Sequence, residues 1–151
     1  MKKQLVPLFV CFYFPATLLA SSAADILGMW WTKENKAKVE ITKCGAGYCG
    51  KLAWLKDPVY KSGVRVGWEG KEKVDYRNPD SSKHNDPILG LQIVSNLKYV
   101  DGIWKDGTVY DPENGKTYSC KAKIEVGDVL ALRGFIGFSL FGRTSEWRRV
   151  K

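Results

Sequence analysis

Apolar and polar residues exchange strictly along much of this chain, and a period of two is the mark of strands with one buried face. In Ala37-Lys38-Val39-Glu40-Ile41-Thr42 every second residue is apolar. The pattern returns over 117–125, where Tyr118, Cys120, Ala122 and Ile124 share one face and the charges take the other. Turn signals separate these runs: Asp101-Gly102, Asp106-Gly107, Pro112-Glu113-Asn114-Gly115 and Gly127-Asp128. The spacing predicts strands near 27–33, 36–44, 48–56, 88–97, 103–111, 116–125, 128–136 and 143–150. About eight short antiparallel strands with tight connections make an all-β, closed or nearly closed up-and-down meander. One connection is long. Between Lys56 and Ile88 lie Asp57-Pro58, several glycines and Asn78-Pro79-Asp80, where Asp80 or Ser81 is placed to cap a short helix. An insertion of that length in a compact domain is usually functional.

The N-terminus reads differently. Lys2 and Lys3 precede an apolar run from Leu5 to Ala20, and Ser22-Ala23-Ala24 offers the small residues a signal peptidase reads. Residues 1–24 are therefore expected to be a secretory signal, and 25–151 one domain that starts near Asp25. A membrane anchor fits less well, because Pro7 and Pro15 interrupt a run shorter than the ~20 residues a spanning helix needs. No later segment is apolar enough to span, so the mature chain is expected to carry no transmembrane segment and to reside in the periplasm or outside the cell.

Export bears on charge and cysteine. The chain carries a net charge of +8, which falls to +6 without Lys2 and Lys3. Its Lys and Arg are scattered among Asp and Glu with no block of one sign, so nucleic acid is not an expected partner. Of the 4 cysteines, Cys11 leaves with the signal. Cys44 and Cys49 flank a turn-rich segment between two strands, a spacing within reach of disulfide geometry. A Cys44–Cys49 bond is expected, with Cys120 free on the buried face; the alternative is that Cys120 takes one of the pair. With His84 the only histidine and no paired CxxC, neither a metal nor another cofactor is expected.

Two ends of the chain suggest how the meander closes. Gly28-Met29-Trp30 lies on the first strand and Trp147-Arg148-Arg149 on the last. The pair resembles the calycin barrels, lipocalins and relatives, in which a Gly-x-Trp packs its indole under a basic residue of the final strand. That resemblance implies a plug built by Gly28, Trp30, Trp147 and Arg149, with a cation–π stack in a desolvated corner. Arg149 shares a strand face with Trp147 and is the better partner for Trp30. In an up-and-down meander the start of the first strand and the end of the eighth fall at the same end. The 57–87 connection, the Pro112–Gly115 turn and the 137–142 loop then surround the opposite mouth.

The chain also resembles an uncharacterised bacterial family of exported proteins, domain of unknown function 2147. The matching pieces run from Asp25-Ile26-Leu27-Gly28-Met29-Trp30 and Cys49-Gly50-Lys51-Leu52-Ala53-Trp54-Leu55 to Asp75-Tyr76-Arg77-Asn78-Pro79-Asp80 and Pro87-Ile88-Leu89-Gly90-Leu91. They continue through Val109-Tyr110-Asp111-Pro112-Glu113-Asn114-Gly115-Lys116-Thr117-Tyr118, Leu132-Arg133-Gly134-Phe135 and Gly142-Arg143 to Trp147-Arg148-Arg149. The resemblance implies a lipocalin-like barrel and carries no established activity.

The functional expectation is a small apolar or amphipathic ligand, fatty-acid-like if acidic, held inside the barrel. Its candidate contacts are Trp54, Tyr76, Asn78, Tyr110, Tyr118, Arg133, Phe135, Phe138 and Phe141. Arg133 alternates with Val129 and Ala131 and is expected to face inward, toward an internal carboxylate or an acidic head group. Trp54 and Phe135 read as core or as pocket wall, and Asp75, Asn78 and Asp80 as loop architecture or gate. The alternative is a filled barrel that contacts an envelope protein or membrane surface through 137–142, where two phenylalanines and a leucine sit in a turn. There is no Gly-x-Ser-x-Gly, phosphate-cradling loop or Cys–His pair with a third member, so catalysis is not expected. Asp75 with Asp111 could serve acid–base work, but only their common position near the mouth suggests it.

Overall fold

A computed structural model describes residues 21–151; all but the last four residues of the expected leader lie outside them. The eight strands are β1 (Gly28–Trp31), β2 (Ala37–Cys44), β3 (Gly47–Leu55), β4 (Gln92–Val100), β5 (Ile103–Asp111), β6 (Lys116–Glu125), β7 (Val129–Phe135) and β8 (Gly142–Arg149). Each pairs antiparallel with the next, and β8 returns to β1, closing the barrel. Among the described residues no helix is long and apolar enough to cross a membrane.

Turn chemistry fixes the registers at one end. Gly45 takes φ 58° at the first position of the two-residue β2–β3 turn, a conformation that costs glycine little. Asp101 and Gly102 both take positive φ, the form of two-residue hairpin turn that matches the strand twist. That turn is tighter than expected, so Lys98–Val100 belongs to β4. The start of β4 also moves, from 88 to Gln92. The apolar run Ile88–Leu91 is loop instead, because Gly90 turns at φ 87° and the Ile88 amide donates to Lys73 O. β1 ends at Trp31, two residues early, where a 3-10 turn over Lys33–Asn35 carries positive φ at Glu34 and Asn35.

Inward positions follow the period of two. Trp30, Val39, Ile41, Leu52, Val94, Leu97, Trp104, Leu130, Leu132 and Trp147 form one buried cluster. Large residues meet small ones. Gly107, Cys120 and Gly134 lie side by side in register on β5, β6 and β7. A Cβ on Gly107 would stand 2.8 Å from Leu97 Cγ, and one on Gly50 2.9 Å from Val39 Cγ1. These are contacts between neighbouring strands, and the inward side chains they surround are closed off from solvent: Trp30, Val39, Val94, Leu97, Trp104 and Leu130 are all 0% exposed. Cys120 is free and buried at this level, and burial pushes its thiol up to about 12. Cys44 and Cys49 are bonded with Cα atoms 5.7 Å apart, pinning the β2–β3 hairpin.

One end is sealed by Arg149. Its guanidinium carbon sits 4.1 Å from the Trp30 ring centroid, and its nitrogens donate to Leu27 O at 2.8 Å and Asp25 O at 2.5 Å. A third bond joins Nε to Asp128 Oδ2 at 2.6 Å, tying in the β6–β7 turn. Trp30 is fully buried and donates its indole N–H to Ile26 O at 2.8 Å. Burying an indole is worth on the order of 4–6 kcal/mol at about 25 cal/mol per Å², against about 2 for a desolvated cation–π contact. The arginine adds to this by bonding two carbonyls of the chain that enters β1 and so tying the first and last strands together. Replacing Arg149 with Ala should lower stability by about 2–4 kcal/mol in urea denaturation. Arg149→Lys should recover less than half of that, since one ammonium cannot stack and bond both carbonyls.

Candidate functional site

The mouth opposite the Arg149 seal is covered by the connection between β3 and β4, residues 56–91. Isolated bridges Val59–Glu72 and Val74–Pro87 organise it, and Tyr60 anchors it from a buried position. The Tyr60 hydroxyl donates to Val74 O and accepts from Val74 N, both at 3.2 Å. A single 3-10 turn, Ser81–Lys83, stands where a short helix was expected, with Asp80 Oδ1 accepting from Ser82 N at 3.0 Å.

Asp75 latches this loop to the barrel. Its carboxylate is 0% exposed, accepting from Tyr110 Oη at 2.6 Å and Asn78 Nδ2 at 2.7 Å. Among the described residues no Lys or Arg nitrogen lies within 4.0 Å of it. Short hydrogen bonds to a charged acceptor, about 1.5–3 kcal/mol each, must offset the desolvation. Burial, and then the Asp75 carboxylate, hold the Tyr110 phenol well above its ordinary range. Nearby, the turn after β5 touches the loop directly: Gly115 packs on the Arg77 carbonyl so closely that any Cβ would collide with it.

On the outer side of the latched loop lies a cleft of about 600 Å³ lined by Arg65, Trp68, Tyr76, Arg77, His84 and Asn85. Trp68 and Tyr76 meet edge to face at 5.4 Å, with Tyr60 behind them at 4.8 Å from Trp68. The Arg65 guanidinium lies 4.1 Å over Trp68 and 5.1 Å over Tyr76. Arg77 lies 5.2 Å from the Tyr76 ring and donates Nε–H to its hydroxyl at 2.8 Å. His84 Nε2 is 2.8 Å from Asn78 O; a carbonyl only accepts, so Nε2 carries the proton.

The residues singled out by sequence do not converge on one pocket. Tyr76 lines the cleft, Asn78 supports it through His84, and Tyr110 is the latch. Tyr118 faces inward near the rim, its hydroxyl accepting from Asn114 Nδ2 at 3.1 Å. Trp54 stands on the outer wall, edge to face with Trp31 at 5.2 Å, and the Lys38 ammonium is 4.5 Å from the Trp31 ring. Phe135 also faces outward, beside inward Gly134.

Arg133 corrects the inward expectation. It pairs with Lys121 and Thr144 on the outer face, because Leu130 and Leu132 take the interior. Its guanidinium donates to Ser139 O at 2.7 Å, Leu140 O at 3.0 Å and Thr144 Oγ1 at 3.1 Å, clamping the 136–141 loop. Phe138, Leu140 and Phe141 in that loop are 76–79% exposed. A second, smaller groove of about 250 Å³ runs along the outer wall past Ile103, Lys121, Lys123 and Arg133. Neither groove enters the barrel. Asp75 and Asp111 are engaged separately, Asp111 accepting from Glu113 N at 2.9 Å and Asn114 Nδ2 at 2.7 Å.

Sequence reasoning missed Arg65, Trp68, Arg77, His84 and Asn85. The signal available was an interleaving of basic and aromatic residues in the long loop, without a period to join them.

These features define a lipocalin-like barrel of eight antiparallel strands. A similar solved structure is protein HP1028 from the human pathogen Helicobacter pylori, described as belonging to the lipocalin family. It is 21% identical, with a TM-score of 0.67 over 83% of this chain and 82% of that one. The chain belongs to the family described as an uncharacterized protein conserved in bacteria (DUF2147), whose model matches residues 28–149. No curated protein matches it.

The latch makes a testable prediction. Tyr110→Phe removes a donor from a buried carboxylate and should cost about 2–3 kcal/mol at pH 7. Because the folded-state phenol is raised, its contribution is full below pH ~10 and declines as pH rises further, where the unfolded chain ionises first. The stability gap between the wild type and Tyr110→Phe should therefore narrow above pH ~10 in denaturation series.

Proposed function

We propose that this is an exported small-ligand-binding protein that takes its ligand at the rim, in the cleft of the long loop. The observation that carries this reading is the 600 Å³ cleft of paired aromatic and guanidinium groups on a loop latched through Asp75. Its volume falls within the range of small-molecule sites, and it is broadly open to solvent, as a site on a loop surface would be. The inward side chains support a rim site over an interior one, since Val94, Leu97, Trp104 and Leu130 are fully buried. The Cys44–Cys49 bond supports an oxidising compartment, and with it export. A fatty-acid-like ligand in the interior would need that packing to part. The exposed 136–141 loop supports a second role, contact with an envelope protein or membrane surface.

Native mass spectrometry of the protein purified from the periplasm or medium tests the reading. The wild type should carry a bound small molecule that is lost from Trp68→Ala/Tyr76→Ala and kept by Phe138→Ser/Phe141→Ser. Equal loading of the wild type and the Trp68/Tyr76 variant would contradict it.

A further inference from the structure

The cleft is chemically one-sided. Of its six lining residues two are arginines and none is acidic, although the chain as a whole carries 16 Asp and Glu. Every ion pair among the described residues lies elsewhere, on Lys36, Lys61, Lys83 and Arg149. Arg65 and Arg77 thus face solvent-filled space without a carboxylate within 4.0 Å.

Their orientation is also fixed. A guanidinium stacked on an aromatic face keeps its N–H groups in its own plane, pointing away from the ring. Arg65 lies closest over Trp68, at 4.1 Å, and Tyr76, set at 80° to that indole, flanks it at 5.1 Å. Arg77 spends Nε–H on the Tyr76 hydroxyl, leaving its two terminal nitrogens free to donate. The rings are themselves immobilised, Trp68 and Tyr76 against each other and both against buried Tyr60. Asn78 fixes the His84 ring from behind through Nε2. Arg65 over Trp68 and Arg77 beside Tyr76 put a cation against each ring, so the cleft favours an anionic ligand over an uncharged apolar one. Forked donors held in place before binding match the oxygens of a phosphate or carboxylate.

We infer that the cleft binds a small oxyanion-bearing molecule, a phosphate ester or a carboxylate, through the free edges of Arg65 and Arg77. The inference rests on the rim-cleft reading above and adds the charge of its ligand. Trp68 is the reporter, because its indole lies directly beneath Arg65.

Binding is followed by the indole N–H resonance of Trp68, assigned by its loss in Trp68→Phe. The probes are glucose 6-phosphate, glucuronate, inorganic phosphate and glucose. Glucose 6-phosphate or glucuronate should bind saturably and at least tenfold more tightly than glucose, with affinity falling as salt is raised. Inorganic phosphate binding as tightly as the ester would assign recognition to the oxyanion alone and support the inference. Arg65→Gln/Arg77→Gln should weaken the charged probes at least tenfold, while its melting temperature stays within about 2 °C of the wild type. Arg65→Lys keeps the charge but loses the fork, and should fall between the two. Glucose binding as tightly as its phosphate would overturn the anionic class and leave the rim cleft standing. No response to any probe at concentrations on the order of 10 mM would overturn the inference. The rim-cleft reading fails separately, if the native load survives Trp68→Ala/Tyr76→Ala.

Discussion

The barrel depends on its shortest seam. β8 meets β1 through only two paired positions, Trp30–Arg149 and Trp31–Arg148, whereas β7 and β8 pair along their whole length. Two paired positions, with one further bond from Val150 N–H to Met29 O at 2.9 Å, are a thin closure for eight strands. Arg149 reinforces it by stacking on Trp30, bonding two carbonyls of the chain entering β1 and reaching the β6–β7 turn through Asp128. Closure in turn leaves no free edge strand, and forces the inward residues of all eight strands into one shared volume.

That volume is small, and this sequence fills it. Trp30, Trp104 and Trp147 bring three indoles inside, and Gly50 and Gly107 leave room for Val39, Val94 and Leu97 on the neighbouring strands. A packed interior moves the concave surface to the loops. The long loop can present a cleft only if it is held, and its holding point is a buried carboxylate with hydrogen bonds in place of a cation. Asp75, Tyr110 and Asn78 join the loop to β5, and Gly115 lets the next turn touch it.

Much of this was legible in the sequence. Alternation located the strands, and Gly-x-Trp with a terminal arginine pointed to the closed barrel. Cys44 and Cys49 were readable from the turn between them. Arg133 was misread for a definite reason: both faces of β7 carry apolar residues, so a period of two gives no phase there. The larger Leu130 and Leu132 take the interior, and Val129, Ala131 and Arg133 are turned out. The start of β4 was misplaced because Ile88–Leu91 is apolar for another purpose, with Ile88 and Leu91 packing the loop onto the core. The cleft was illegible because Arg65, Trp68, Tyr76 and His84 are joined by folding of the loop, with no repeat in the chain to reveal it.

The central proposal is that the closed interior sends binding to the rim. Xenon enters dry apolar cavities and leaves filled cores alone. Methyl resonances of Leu97, Leu130 and Leu132, followed as xenon pressure is raised, should show only the small linear drift of a packed interior. Saturable shifts at those three leucines would reveal an open chamber inside the barrel and contradict the account.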